Sequence, residues 1–228
     1  PQHKKQKKGC GFPIARVVAL FSLSTGAVID GEIAGIKTGE VNLFRPFYQR
    51  LHAGWVILGD RLFGSYADIT GLAQRGIESV FRLHGRRKCD FRRGKRLGHG
   101  DHIVVWQKPK QCPPGLCKEQ FHSLPKQIRV REVRFYLQQK GFRTKPVTLV
   151  TTLLDANAYP LSSLAQLYGL RWQAEISLRH LKTRMQMEFL SCKAPEMVQK
   201  EFYIHLLAYN LIRAVQSQAG QQHTVAPT

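Results

Sequence analysis

The segment WVILGD, residues 55–60, is a short apolar run ending on a glycine and an aspartate, and its place before a helical stretch narrows the choice of fold. FGSYADITGLAQRG reads as a helix closed by Gly76, and IESVFRLHG as a further strand. A strand–helix–strand order of this kind predicts an α/β sheet whose faces are covered by helices. The strand delivers the carboxylate of Asp60 at its C-terminal end, where ligands of open α/β sheets collect. An aspartate after a strand is also a common helix N-cap, so the segment alone leaves both readings of Asp60 open.

The remaining segments extend this pattern and interrupt it once. Residues 1–14, with HKKQKKGCGFP, form a basic, glycine-punctuated tail. A first core part is expected over 15–84: ARVVALFSLSTG and AVIDGEIAG read as two strands joined by a tight turn. Val41, Phe44, Phe47, Tyr48 and Leu51 then give a helix-like spacing from Glu40 to Ala53, stopped by Gly54. Over 85–145 the chain becomes basic and glycine-rich, with HIVVWQK and QIRVREVRFYLQQ as strands and KPKQCPPGLCKEQ as a proline-broken loop, which predicts a β-rich insertion. A second core part over 146–217 opens with the strand VTLVTTLLD. It continues with a long helix entered at Pro160, Ser162 and Ser163, and closes with the amphipathic helix KEFYIHLLAYNLIRAVQ. Residues 218–228 form a polar, frayed tail.

Charge selects the partner. The chain of 228 residues has 35 Lys and Arg against 15 Asp and Glu, a formal net charge of +20. Such an excess favours a polyanion, because each neutralised phosphate releases condensed counterions. RNA-binding proteins share this composition, so charge alone separates neither DNA from RNA nor enzyme from binder. In the insertion, Arg86, Arg87, Arg92 and Arg93 concentrate the positive surface. Trp106 among basic residues reads either as a stacking platform for an unpaired base or as the anchor of the insertion's own small core.

Five cysteines, Cys10, Cys89, Cys112, Cys117 and Cys192, are odd in number and scattered, which fits a reducing cytoplasm better than a disulfide framework. Cys112, Cys117 and His122 make part of a zinc spacing, but a fourth ligand at the usual distance is missing, and free loop thiols are the better account. No apolar run approaches the roughly 18 residues of a membrane span, and there is no signal peptide.

In the run YGLRWQAEISLRHLK, Tyr168, Arg171, Glu175 and Lys182 fall within roughly a 60° stripe of an ideal helix. The stripe borders an apolar arc of Leu167, Leu170, Ala174, Leu178, Leu181 and Met185. Glu175 is four residues from both Arg171 and Arg179, so an exposed ion-pair ladder uses the same residues as a phosphate-and-metal site.

The spacing Tyr, two residues, Arg, three residues, Glu, six residues, Lys is that of a known signature. With it, GCGFPIARVVALFSLSTG, the Gly39–Glu40 pair, GDRLFGSYADI and EFYIHLLAYNLIRA resemble bacterial insertion-sequence transposases of the DDE class. The resemblance implies an RNase-H-like fold: a mixed sheet flanked by helices, with a β-rich insertion between the second and third acidic residues. It matches Asp60 to the second and Glu175 to the third catalytic, metal-ligating carboxylate of a two-metal site holding Mg²⁺ or Mn²⁺. Tyr168, Arg171 and Lys182 match the residues that grip the transposon-end backbone. The implied activity is metal-assisted DNA cleavage and joining of the freed 3′-OH to target DNA. The implied partners are double-stranded transposon ends and target DNA, bound by a homodimer in the bacterial cytoplasm at the nucleoid, with no membrane.

The first family aspartate is expected ahead of the segment resembling QKKGCGFP, before Pro1, and Asp30 on a later strand does not replace it. From this the sequence predicts an N-terminally truncated fragment of weak or no catalytic activity, lacking the family's N-terminal DNA-recognition region. A non-enzymatic nucleic-acid-binding remnant of a transposase is the alternative. A basic RNA-binding protein is a second alternative, and it leaves the four-residue signature unexplained.

Overall fold

A computed structural model describes residues 13–137 and 145–222. The expectations for residues 1–12, Cys10 among them, for 138–144 and for 223–228 lie outside the described residues. The rest forms two compact units: the residues up to Phe44 together with those from Leu170 onward, and Arg45–Gly169.

The elements track the alternation of apolar runs and punctuating residues. β1 (Ala15–Phe21) and β2 (Val28–Gly35) are the expected pair, antiparallel with a register shift between Leu20 and Phe21. α1 (Glu40–Phe44) is much shorter than the helix predicted to Ala53. Pro46 has no N–H to continue an α-helical ladder, and the chain tightens into a 3₁₀ turn over Arg45–Gln49. β3 (Val56–Gly59), α2 (Tyr66–Ala73) and β4 (Glu78–Arg82) reproduce the predicted strand–helix–strand unit. The basic region supplies β5 (Lys95–Gly98) and β6 (Asp101–Gln107), and α3 (Lys118–Ser123) forms within the segment read as loop. β7 (Gln127–Leu137) and β8 (Lys145–Thr151) come next. α4 (Leu161–Gly169), α5 (Arg171–Arg179), a π-helical turn over His180–Arg184 and α6 (Pro195–Gln222) complete the order.

In the unit of Arg45–Gly169 the fold is α/β, with a six-stranded mixed sheet in the order β3-β4-β8-β7-β6-β5, consistent with an RNase-H-like fold. β3 and β4 run parallel and every other pair is antiparallel. The insertion strands do not form a sheet of their own: β7 pairs with β8 from Arg131↔Thr151 to Leu137↔Lys145, so core and insertion share one ladder. One face buries Val80, Val133, Phe135, Val147 and Leu149 under Leu164 and Tyr168 of α4. Leu161, Leu164, Ala165 and Tyr168, at helical spacing, are the stripe that α4 turns toward this face. α2 packs against β4, and Ile69 and Leu72 of that helix are fully buried.

Deep in this unit Arg131 is a fully buried cation. Its guanidinium donates in fork geometry to both oxygens of Asp101, at 2.8 and 2.6 Å, and to the Tyr159 carbonyl at 2.7 Å. The pair ties β6 and β7 to the loop that leads into α4.

The other unit is built on α6 crossing β2. A Cβ at Gly31 would lie 2.6 Å from Leu206 Cδ1 and 2.9 Å from Phe202 Cζ, so glycine admits this approach without displacing either side chain. Phe202, Leu206 and Tyr209 bury Val28, Leu181 and Met187. Asn210 accepts from the Val28 N–H at 2.8 Å and donates to the Val28 carbonyl at 2.7 Å, serving both backbone groups as a neighbouring strand would. Among the described residues no helix is long and apolar enough to cross a membrane.

Candidate active site

Asp60 leaves the sheet directly after β3, whose last residue, Gly59, pairs with Phe81 of β4. Its side chain is exposed and accepts from the adjacent Arg61 N–H, at 2.7 Å. The N-cap of α2 is instead Ser65, whose hydroxyl accepts from the Asp68 N–H. The capping role is therefore taken, and Asp60 presents a carboxylate at the open end of the parallel strand pair.

Glu175 stands on α5 in the other unit, beside Arg171 one turn earlier, and the two side chains form an ion pair. Arg179, which would be the further rung of an ion-pair ladder, lies over the Trp172 ring at 5.9 Å, and no ion pair joins it to Glu175 among the described residues. Lys182 is exposed in the π-helical turn, where the Met185 N–H reaches back five residues to the His180 carbonyl. A π turn holds more residues than an α turn, so the stripe drawn at 100° per residue does not run unbroken from Tyr168 to Lys182. The apolar arc also departs from the ideal: Leu181 is fully buried, while Leu170 is 40% exposed.

Tyr168 goes inward. It is 5% exposed, edge-on to Phe135 with ring centroids 6.4 Å apart, and belongs to the core over the six-stranded sheet. Trp106 also goes inward, at 4% exposure. Its indole N–H donates to Glu132 at 2.8 Å, and the Arg87 guanidinium lies 3.6 Å from its ring centroid, covering a face that a base would need. Of the two readings of Trp106, this burial supports the core anchor.

Arg86, Arg87, Arg92 and Arg93 are exposed on the loop between β4 and β5. Asp90 organises the loop by accepting from Arg92 at 3.0 and 3.3 Å and standing 3.5 Å from Arg93. These hydrogen bonds from Arg92 hold the Asp90 carboxyl below the usual carboxylate range. Phe91 anchors the same loop, its ring 4.6 Å from that of His102, and Arg134 covers Phe91 at 4.7 Å. Asp30, on β2, accepts from the Gly31 N–H at 2.8 Å.

Sequence reading missed one constellation. Cys89, His102 and Glu132 bring a sulfur, a ring nitrogen and a carboxylate oxygen within 4.8 Å of one another. The β6–β7 register sets His102 opposite Glu132, 30 residues away in sequence. Burial, then Glu132, push the Cys89 thiol well above its ordinary range. No signal in the sequence could have found it, because His102 and Glu132 lie on strands whose pairing frame the sequence does not display. Cys112 and Cys117 serve locally instead. Cys117 Sγ caps α3 by accepting from the Gln120 N–H at 3.4 Å, and Cys112 Sγ donates to the Leu116 carbonyl at 3.4 Å. Both are free thiols.

Comparison with known proteins gives a consistent set of relatives. The family described as Transposase DDE domain matches residues 1–211. The chain is 26% identical over 204 residues to the transposase InsG for insertion sequence element IS4 of Escherichia coli (strain K12), covering 89% of this chain and 44% of that protein. It is 34% identical over 64 residues to the putative transposase InsL for insertion sequence element IS186A of the same strain, covering 28% of this chain and 17% of that protein. The same figures hold for the transposase for insertion sequence element IS421 of Escherichia coli. The chain thus spans less than half the length of these relatives.

Proposed function

The chain belongs to the transposase DDE domain family, and from that premise we propose that it carries catalytic residues of an insertion-sequence transposase, which cuts DNA at element ends and joins the freed 3′-OH to target DNA. The observation that carries this reading is the exposed carboxylate of Asp60 at the C-terminal end of β3, with the neighbouring helix capped by Ser65. A structural aspartate in that position would be engaged as the cap.

Asp60 and Glu175 offer hard oxygen donors of the kind that Mg²⁺ and Mn²⁺ take, and they are the residues assigned to hold such ions. When bound, divalent ions supply an activated water or 3′-hydroxyl and stabilise the leaving oxygen. The protein's own groups do the rest. Arg171 orients the Glu175 carboxylate by ion pairing. Lys182 and the exposed Arg86, Arg92 and Arg93 supply cations for phosphate oxygens. Tyr168, matched to the residues that grip the element-end backbone, is buried over the six-stranded sheet, and its role is packing within that unit. The protein works on double-stranded DNA as a homodimer on two element ends, in the bacterial cytoplasm at the nucleoid.

The test uses the protein as its gene encodes it, with duplex DNA carrying the element ends and Mg²⁺ or Mn²⁺. Asp60→Ala and Glu175→Ala each abolish strand cleavage and leave DNA binding largely intact. Cleavage that persists in both variants would refute the assignment. Binding by the unsubstituted protein with no cleavage at all would select the non-enzymatic remnant.

A further inference from the structure

We propose that Cys89, His102 and Glu132 form a site for one divalent transition-metal cation of the zinc class, separate from the hard-cation carboxylates Asp60 and Glu175. His102 Nδ1 faces the Arg93 carbonyl at 2.7 Å, which places a proton on Nδ1, so that a neutral ring would carry its lone pair on Nε2. That lone pair points at Glu132 Oε2, 3.0 Å away. Two acceptors at this separation need a proton or a metal cation between them. The third group on the same point is the Cys89 sulfur, 3.6 Å from Nε2, and a sulfur, a nitrogen and an oxygen converging in this way favour the metal.

Two of the three donor spacings suit a tetrahedral ion, and the third lies within 4.8 Å. Zinc bonds of about 2.0–2.3 Å to nitrogen, oxygen and sulfur, opened at the tetrahedral angle, separate the donor atoms by roughly 3.3–3.6 Å. The sulfur–nitrogen distance already falls there, and the nitrogen–oxygen distance has to open by only a few tenths of an ångström. The outer contacts are those that orient metal ligands: the Arg93 carbonyl on His102, and the Trp106 indole donating to the other oxygen of Glu132 at 2.8 Å.

Thiolate and carboxylate together neutralise a divalent charge, so the loaded site carries no net charge beside the cations Arg87 and Arg134. The thiol proton leaves to solvent as the metal–sulfur bond forms. Cys89 is only half-buried and lines a cavity of about 180 Å³, which gives an entry path from solvent to its sulfur. A soft sulfur beside an imidazole selects zinc-like ions over Mg²⁺. The bound ion would staple the loop carrying Cys89 to β6 and β7.

The test is titration of the chelator-stripped protein with Co²⁺ alone, then with Zn²⁺. One equivalent of Co²⁺ is expected, with a thiolate-to-cobalt charge-transfer band that Zn²⁺ displaces. The band is lost in Cys89→Ser and retained in Cys112→Ser/Cys117→Ser. Zn²⁺ also raises the melting temperature of the unsubstituted protein but not of Cys89→Ser. If Cys89→Ser does not fold, Cys89→Ala replaces it, and the titration of the unsubstituted protein decides without either. Absence of a cobalt–thiolate band, its persistence without Cys89, or its loss with Cys112 and Cys117 would each overturn the proposal.

Discussion

Arg171 and Glu175 sit one turn apart on α5 and are joined as an ion pair, their side chains 30% and 41% exposed. At that exposure such a pair adds little to stability, about 0.3–0.5 kcal/mol for helix neighbours. Its value lies in aiming a carboxylate. Arg171→Ala should therefore change the denaturation free energy by no more than about 0.5 kcal/mol. It should also lower strand cleavage by about 10²-fold, as when a preorganised charge beside a reacting phosphoryl group is removed. Parallel denaturation and cleavage measurements check this, and a large stability loss with normal cleavage would make the pair purely structural.

Tyr168 is a core residue by its packing on Phe135. Tyr168→Ala should cost about 3–5 kcal/mol, the range for aromatic truncation in a core, whereas Tyr168→Phe should cost about 1 kcal/mol. Chemical denaturation separates the two. Near-native stability for Tyr168→Ala would contradict the burial.

Arg131 and Asp101 form a buried, two-pronged pair. Asp101→Ala leaves the guanidinium uncompensated and should destabilise the protein by about 3–5 kcal/mol. Arg131→Met combined with Asp101→Leu should lose much less, since no buried charge remains. Melting temperatures of the single and double variants test the difference.

Glu201 accepts from the Ser191 and Cys192 N–H groups at 2.8 and 2.9 Å, and these bonds hold its carboxyl below the ordinary range. A depressed folded-state pKa contributes stability that is present above the unfolded pKa and lost as pH falls through the folded one. The gap in denaturation midpoint between the unsubstituted protein and Glu201→Gln should thus be widest near neutrality and shrink as pH falls through and below the ordinary carboxylate range. A gap independent of pH would contradict the assignment.

Arg86 and Arg92 project from the exposed basic loop. If each neutralises one DNA phosphate, Arg86→Ala and Arg92→Ala should each weaken duplex binding alike across sequences and reduce the slope of log affinity against log salt by about 1. Salt-dependent binding titrations measure this directly. An unchanged slope would remove the loop from the interface.

Much of the architecture was legible because it rests on local pattern. The apolar run 55–60 marked a short strand, though in the structure it is an edge strand with Ile57 alone buried, and β4 and β8 came from equally plain runs. The overlong helix after Glu40 was an error of a different kind: its apolar spacing continued past Pro46, but the backbone could not. The signature spacing marked Arg171, Glu175 and Lys182, yet it treated the helix as ideal and so overlooked the π turn at His180–Arg184.

What the sequence determined by itself was the α/β class, the strand that ends at Asp60 and the basic character of the loop before β5, since each is written within a few neighbouring residues. Which way Tyr168 and Trp106 face was decided by tertiary structure alone, because an aromatic ring beside charged residues satisfies a core and a binding surface equally well until its neighbours are known. Only the pairing frame of β6 and β7 could set His102 against Glu132 and bring both to Cys89. A one-residue slip in that frame would turn the same side chains to opposite faces of the sheet, and nothing in their linear order chooses between the two.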